Sequence, residues 1–168
     1  QTRENFFGLG NGSREQDEVA YTIERMSVGN TFSWEISPSI ELGFLTRFEA
    51  SNIFDGQDPS LRGSLVDIRD SLNLSTADIR KTEVLSVGAS FVHDWRDHPG
   101  QPSSGGVEQL SIIYNRGVGV SDDFEFTEAT VDLRHYVNVY KKRIFAFRAV
   151  ARDISVPSGS APLPFYLK

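Results

Sequence analysis

The residues with the clearest chemical potential are two histidines and two aspartates in one short stretch: His93, Asp94, Asp97 and His98. Such side chains are common metal ligands. On an extended strand, however, His93 and Asp97 lie about 13 Å apart at roughly 3.3 Å per residue, and Asp94 points to the opposite side. Because metal–ligand bonds are only about 2.0–2.2 Å long, this spacing does not predict shared coordination. We therefore expect no metal site and no cofactor.

Other catalytic signatures are also missing from the sequence. No serine lies in a Gly-x-Ser-x-Gly elbow, which argues against a hydrolase triad. The glycine-rich stretch at 8–12 lacks the lysine and the following helix of a phosphate-binding loop. Cysteine is absent, which excludes disulfides, cysteine catalysis and cysteine-ligated zinc. We expect a protein without enzymatic activity.

The histidines and aspartates stand at the end of a segment with strict alternation. Over residues 84–97 the apolar side chains share one parity and end in Trp95, whereas small, polar and charged side chains share the other. A period of two predicts a β-strand with one apolar and one polar face. Similar alternation predicts five more strands, at 19–36, 40–52, 106–118, 124–138 and 143–155.

The predicted connections alternate between short and longer ones. We interpret 37–39, 98–105 and 138–142 as short turns, 53–82 as a long connection and 118–123 as an intermediate one. Long loops on one side only are typical of outer-membrane barrels. Within the longest connection, apolar residues at helical spacing predict a short helix over 61–78.

The polar faces of the predicted strands carry charges of both signs: Arg47, Glu128, Asp132, Arg134, Arg148 and Arg152. We expect these charges to face an enclosed lumen. The arginines of the last two strands could line a pore or bind a loop inside it, but we favour cross-strand pairing with Glu128 and Asp132. Four aromatic residues lie near the short turns, where a membrane interface favours them: Trp34, Trp95, Tyr136 and Tyr140.

Composition excludes some functions but does not decide between a soluble protein and a membrane barrel. The net charge of -6 argues against nucleic acid as a partner, because binding to phosphates requires a basic surface. No apolar run approaches the roughly 18 residues of a transmembrane helix. A barrel strand needs only about 9–11 residues, with every second one apolar, so a mean hydropathy of -0.30 does not decide between a soluble sheet and a membrane barrel.

The turn after the third strand carries a motif. It consists of Asp94, Arg96, Asp97, Pro99, Pro102 and Gly105. With the stretches NFFGLGN at 5–11 and PFYL at 164–167, in this order, the motif resembles the bacterial surface-antigen domain. That domain is the transmembrane barrel of outer-membrane assembly proteins of the BamA/TamA type. The resemblance implies that the motif is a structural signature of a strand and its turn, and not a catalytic centre.

The resemblance implies an all-β fold, an antiparallel meander of long strands within a sixteen-stranded transmembrane β-barrel in the bacterial outer membrane. About six strands are too few to close such a barrel. We therefore expect residues 1–168 to form a single partial barrel domain that holds central strands, with an extracellular loop at about 53–82. The implied function is insertion, assembly or translocation of outer-membrane proteins. The implied partners are the lipid bilayer, the remaining barrel strands and unfolded outer-membrane protein clients.

Two other functions remain open on the sequence alone. One is a passive outer-membrane pore or anchor barrel, and the other is a soluble β-sandwich or lipocalin-like binding protein. Strands of about 12–18 residues favour a barrel, because soluble strands average about 5–6. The soluble alternative requires the apolar face to be a protein core. It would be favoured by Leu85, Leu133 and Phe147 packed together, with the arginines in bulk solvent.

Overall fold

The described part of the chain forms one open antiparallel sheet of seven strands, each paired with the next in sequence. The computed structural model describes residues 2–6, 19–55, 81–121, 124–141, 143–164 and 167. The strands are β1 (Thr2–Phe6), β2 (Val19–Ser37), β3 (Ile40–Asp55), β4 (Thr82–Asp94), β5 (Gly105–Gly117), β6 (Glu125–Tyr140) and β7 (Arg143–Ser155). A single 3-10 turn, Gly119–Ser121, follows β5. Within these ranges, no helix has the length and apolar character needed to cross a membrane.

The six long strands confirm the predicted all-β meander, with small changes in their ends. β7 occupies the predicted residues, whereas β4 ends at Asp94, three residues earlier than predicted. Beyond that end, the backbone N–H of Trp95 still donates to Gly106 at 3.0 Å, and that of Asp97 donates to Ser104 at 3.1 Å. The two chain segments therefore stay paired through an irregular turn.

The first strand was not predicted. Thr2–Phe6 pairs with β2, from Thr2 opposite Ile23 to Phe6 opposite Val19. Five residues with one apolar side chain show no alternation from which a strand could be inferred. The helix predicted over 61–78 lies outside the described residues, as does most of the connection at 53–82.

The long strands, β2 to β7, contain 13–19 residues each. Their register is continuous except between Glu35 and Ser37 and between Asn138 and Tyr140. Both irregularities adjoin short turns. A bulge reverses which face the following residues occupy. As a result Tyr140 pairs with Arg143, which shares its face with Phe145 and Phe147.

Burial on β4 is the reverse of that in a soluble sheet. On its polar face Thr82 and Ser86 are each only 1% exposed, whereas on its apolar face Leu85 is 45% exposed. A soluble sheet buries its apolar side instead. This pattern indicates that the sheet curls around its polar face.

A hydrophobic cluster covers one end of the polar face, near the longer connections. It consists of Val84, Phe124, Phe126 and Leu163, with Ile154, Ala161 and Leu167 packed against it. Ser160 joins the segment after β7 to β6, because its hydroxyl accepts the backbone N–H of Glu125 at 2.9 Å. The hydroxyl of the buried Ser121 accepts the backbone N–H of Glu83 at 3.2 Å and donates to the carbonyl of Lys81 at 3.2 Å.

Candidate membrane-facing surface and polar face

The apolar face of the sheet exposes many large hydrophobic side chains. Fifteen of them are at least 39% exposed: Met26, Val28, Phe32, Trp34, Leu42, Phe44, Leu85, Val87, Leu110, Ile112, Tyr114, Leu133, Val137, Phe145 and Phe147. The strand register places them on one side of β2 to β7. Soluble monomers rarely expose a continuous apolar surface larger than a few hundred Å². This face therefore requires a nonpolar environment.

Ionisable residues bound this apolar surface on both sides. On the apolar face, the bounding pairs are Glu83 and His93 on β4, Glu125 and His135 on β6, and Arg143 and Asp153 on β7. Each pair is ten residues apart, with no ionisable residue between them on this face. Ten residues span about 33 Å along a strand. A strand tilt of roughly 40° reduces that span to a height of about 25 Å, the height of the apolar band of outer-membrane barrels.

Two polar residues interrupt the apolar face in its middle. Asn30 on β2 lies directly opposite Thr46 on β3. Because they are cross-strand neighbours, each is the nearest polar group to the other on this face. In a nonpolar environment, a neighbouring pair of polar groups is less costly than either group alone.

Three of the four aromatic residues predicted at a membrane interface lie on the apolar side near the short turns. Trp34 is 78% exposed, Tyr140 is 59% exposed and Trp95 is 43% exposed. Tyr136 lies on the polar face instead, on the same parity as Asp132 and Arg134 and opposite Gly105. The sequence interpretation grouped these residues by their distance from a turn and did not take parity into account, so it did not separate Tyr136 from the other three.

Four residues at the short-turn end of the apolar side form what we call the rim cluster: His93, Trp95, Glu108 and His135. Glu108 lies opposite His93 in the register, and its Oε2 is 2.8 Å from His93 Nδ1. The indole Nε1–H of Trp95 donates to Glu108 Oε1 at 2.9 Å. The Trp95 ring centroid is 5.4 Å from that of His135 and 6.5 Å from that of His93. Among the described residues, no group of three or more His, Cys, Asp or Glu side chains is arranged to hold a metal ion.

The turn motif is organised by two aspartates. Asp94 accepts two hydrogen bonds from the Arg96 guanidinium, at 2.8 Å and 2.5 Å, and Arg96 Nη1 donates to the carbonyl of Pro99 at 3.0 Å. The hydrogen bonds to Asp94 raise the pKa of Arg96 above its ordinary value. Through these hydrogen bonds the arginine links the end of β4 to the turn.

Asp97 accepts hydrogen bonds from both sides of the turn. Its Oδ1 accepts the backbone N–H groups of His98 and Ser103 at 2.9 Å each and that of Ser104 at 3.2 Å, and its Oδ2 accepts the Ser103 hydroxyl. These bonds, the Ser103 hydroxyl first, hold the pKa of Asp97 well below its ordinary value. The carboxylate thus bridges both sides of the turn.

Gly105 closes the motif with a backbone conformation that favours glycine. Its φ is 96°, and a Cβ at this position would lie 2.4 Å from the carbonyl oxygen of Trp95. Pro102 precedes it in the turn, where its fixed φ limits the backbone. All six residues of the motif therefore lie in one strand end and its turn.

On the polar face, one aspartate accepts hydrogen bonds from two arginines. Asp132 is 8% exposed and accepts Arg134 at 3.2 Å and 2.6 Å and Arg148 at 3.1 Å and 2.7 Å. Arg134 and Arg148 are direct cross-strand partners, so without the carboxylate two like charges would face each other. The predicted cross-strand pairing is present here.

A second charged group lies near the hydrophobic cluster. Arg152 donates to Glu128 at 2.8 Å and 3.0 Å, and both line a cavity of about 120 Å³ together with Arg47. Ser86 and Asn115 line the same cavity, and the Ser86 hydroxyl donates to Asn115 Oδ1 at 2.7 Å. The structure thus divides the six predicted lumen-facing charges into two groups on one face.

Sequence reasoning missed Glu108 and His135, which complete the rim cluster. Glu108 is paired with His93 through the register of the β4–β5 hairpin, and an alternation pattern within one strand contains no information on register. In the comparisons with known proteins, no protein-family model matches this chain, and no curated protein matches it.

Proposed function

We propose that this chain is part of a transmembrane β-barrel of the bacterial outer membrane. The observation that carries the proposal is the exposed apolar band, bounded by ionisable residues, on the side of the sheet opposite a polar face that is buried along β4. The neighbouring residues Leu85 and Ser86 illustrate it, since the leucine is 45% exposed and the serine 1%. In a membrane barrel the apolar face would contact lipid, and the polar face would line an enclosed polar interior.

The two edges of the sheet support a larger assembly. β1 and β7 are edge strands. In a bilayer every backbone polar group must be paired, so further strands would have to connect β7 back to β1. Sixteen strands is the number implied by the resemblance of the turn motif to the surface-antigen barrel.

The segment after β7 argues against a soluble sandwich. In a sandwich a second protein layer covers the apolar face. Here the segment folds onto the other face, where Leu163 packs with Val84 and Phe126. The arginines are half-exposed, with Arg148 at 59% and Arg152 at 50%, but both are paired with carboxylates.

We further propose that the protein inserts, assembles or translocates outer-membrane proteins. The motif from Asp94 to Gly105 supports this role through its resemblance to the BamA/TamA type. The hydrogen bonds accepted by the Asp94 and Asp97 carboxylates stay within the strand end and its turn, as expected of a structural motif. The role would be mechanical and not enzymatic, with unfolded client strands adding to an open barrel edge by backbone pairing.

Two experiments test the proposal. The protein should be recovered with outer membranes, should resist an alkaline carbonate wash and should be released only by detergent. Recovery in the soluble fraction without detergent would contradict the membrane assignment. Depletion of the protein should then lower the membrane content of other barrel proteins. If their content does not change, the barrel is a passive pore or an anchor.

A further inference from the structure

We infer that the apolar face holds one phospholipid with an ethanolamine headgroup, whose amine binds at the rim cluster and whose acyl chain lies in an adjacent groove. The inference rests on the proposed function, because it requires this face to meet a bilayer. It adds a specific lipid site to a surface that otherwise needs only a nonpolar environment.

The groove lies on the apolar face across β4, β5 and β6. It has a volume of about 390 Å³, within the roughly 300–1,000 Å³ of small-molecule sites. One wall is the row of Phe91, Leu110 and Val131, which face one another in the register. In the next row the small side chains of Ala89 and Ala129 leave space on either side of a larger residue, so an alkyl chain can contact the walls on both sides.

The groove and the rim cluster are continuous. His93 and Glu108 follow Phe91 and Leu110 at the next positions on the same face, about 7 Å along the strands. The cluster also lies at the end of the apolar band, at the depth of lipid headgroups. A single lipid can therefore reach both features.

The chemistry of the rim cluster favours an amine. Glu108 is the carboxylate of the cluster, and it is partly exposed, with 36% of its side chain accessible. Each oxygen of this carboxylate has more than one lone pair, so it can also accept a charge-assisted hydrogen bond from an ammonium group. A headgroup that carries only negative charge would be repelled by the same carboxylate.

The indole of Trp95 adds a second contact for a cation. Its Nε1–H is bonded to Glu108, and its ring lies over Gly106, where a Cβ would be 3.2 Å from the ring carbons. The glycine thus allows the ring to lie close against the sheet. An indole face attracts ammonium groups, most strongly where water is excluded. The imidazole of His135 supplies an N–H donor for the lipid phosphate.

The opposite rim offers a matched comparison. Glu125 is also a carboxylate on the apolar face, and it accepts the hydroxyl of Tyr114. It lacks a tryptophan and histidines around it on this face, and it does not line the groove. A carboxylate at a membrane rim is therefore not by itself the proposed site.

The test measures lipid retention by the purified protein. The protein is inserted into vesicles that contain equal amounts of phosphatidylethanolamine and phosphatidylglycerol with identical palmitoyl and oleoyl chains, and is then extracted in mild detergent. Native mass spectrometry counts the lipids that remain bound. We expect one phosphatidylethanolamine to be retained, and Glu108→Gln to lower its retention by about tenfold.

Two control variants separate the site from a general effect. Glu125→Gln should leave retention unchanged. Ala129→Phe, which fills the groove, should lower retention, whereas Ala50→Phe, on the same face outside the groove, should not. Equal retention of the two lipids, or unchanged retention in Glu108→Gln, would overturn the inference. Because the protein would still have entered the vesicles, these outcomes would not contradict the proposed function. Failure to enter vesicles would instead contradict the proposed function.

Discussion

The two faces of this sheet satisfy their side chains in different ways. On the polar face, charged groups find partners within the described chain, as Asp132 does with Arg134 and Arg148. On the apolar face, large side chains such as Phe147 are 54% exposed. The charged groups of the polar face on β6 and β7 are therefore paired within the chain, whereas the large apolar side chains depend on their surroundings. The exposed apolar side chains constrain the environment of this protein more than the paired charges do.

The contrast extends to the way each face is stabilised. The hydrophobic cluster around Val84 and Phe124 occupies only the end of the polar face near the longer connections. Elsewhere that face depends on ion pairs and hydrogen bonds, such as the 2.7 Å bond from Ser86 to Asn115. Buried polar groups stabilise a fold only when they are paired, so this face should be sensitive to the loss of single partners.

The largest effect is expected from placing a charge on the apolar face. Phe147 lies within the apolar stretch between Arg143 and Asp153 and directly opposite His135. Phe147→Arg should lower the free energy of unfolding from the membrane by up to about 2–4 kcal/mol, because an arginine on the lipid-facing side loses its hydration. Equilibrium unfolding of the protein from vesicles measures the change.

The matched control for this substitution is the adjacent residue on the other face. Ala146→Arg adds the same charge on the polar side of β7, where Arg148 already lies, and should cost much less. Similar costs for the two variants would remove the distinction between the faces. A negligible cost for Phe147→Arg would mean that Phe147 faces water.

The next largest effect is expected in the turn between β4 and β5. Gly105→Ala forces an L side chain into a φ of 96° and places its Cβ 2.4 Å from the carbonyl oxygen of Trp95. We expect a loss of about 1–3 kcal/mol from backbone strain. Gly100→Ala is the control in the same turn, because its Cβ would meet nothing within 4 Å. Equal unfolding free energies for both variants would contradict the role of Gly105.

Much of this arrangement could be predicted from the sequence, and the limits have physical causes. Alternation within a strand identified β2 to β7 and separated Leu85 from Ser86, because a strand places successive side chains on opposite faces. The role of Asp97 is ordinary turn chemistry, in which an aspartate accepts nearby backbone N–H groups. The face of Tyr140 could not be predicted, because it depends on a bulge at Asn138, which alternation does not encode.

Contacts between strands were harder to predict than the strands themselves. His93 was first considered with Asp97 because the two are close in sequence, but its partner is Glu108 on the next strand. Strand register is set by the geometry of the intervening turn, and this turn is irregular. β1 was missed for a related reason, since its five residues pair with β2 without a hydrophobic pattern of their own.

A smaller effect is expected when the shared carboxylate of the polar face is removed. Asp132→Asn leaves Arg134 and Arg148 facing each other without a counter-charge. Its cost in unfolding free energy should be smaller than that of Phe147→Arg, because both arginines are partly exposed, and larger than that of Glu128→Gln, where one arginine loses one partner. The same vesicle unfolding measurement compares the three variants. A larger cost for Glu128→Gln would contradict the shared role of Asp132.

The smallest effect is expected from the pH dependence of the turn. The pKa of Asp97 is lowered by the Ser103 hydroxyl and by backbone N–H groups, so its ionised form is favoured in the folded protein. Its contribution to stability should be complete above the ordinary carboxyl pKa of about 3.9 and should be lost as the pH falls from there through the lower folded-state value. Asp97→Asn should therefore lower the unfolding midpoint at pH 6 and lose part of this difference at pH 3. A difference between the two proteins that stays constant from pH 6 to pH 3 would mean that the carboxylate charge is not what holds this turn.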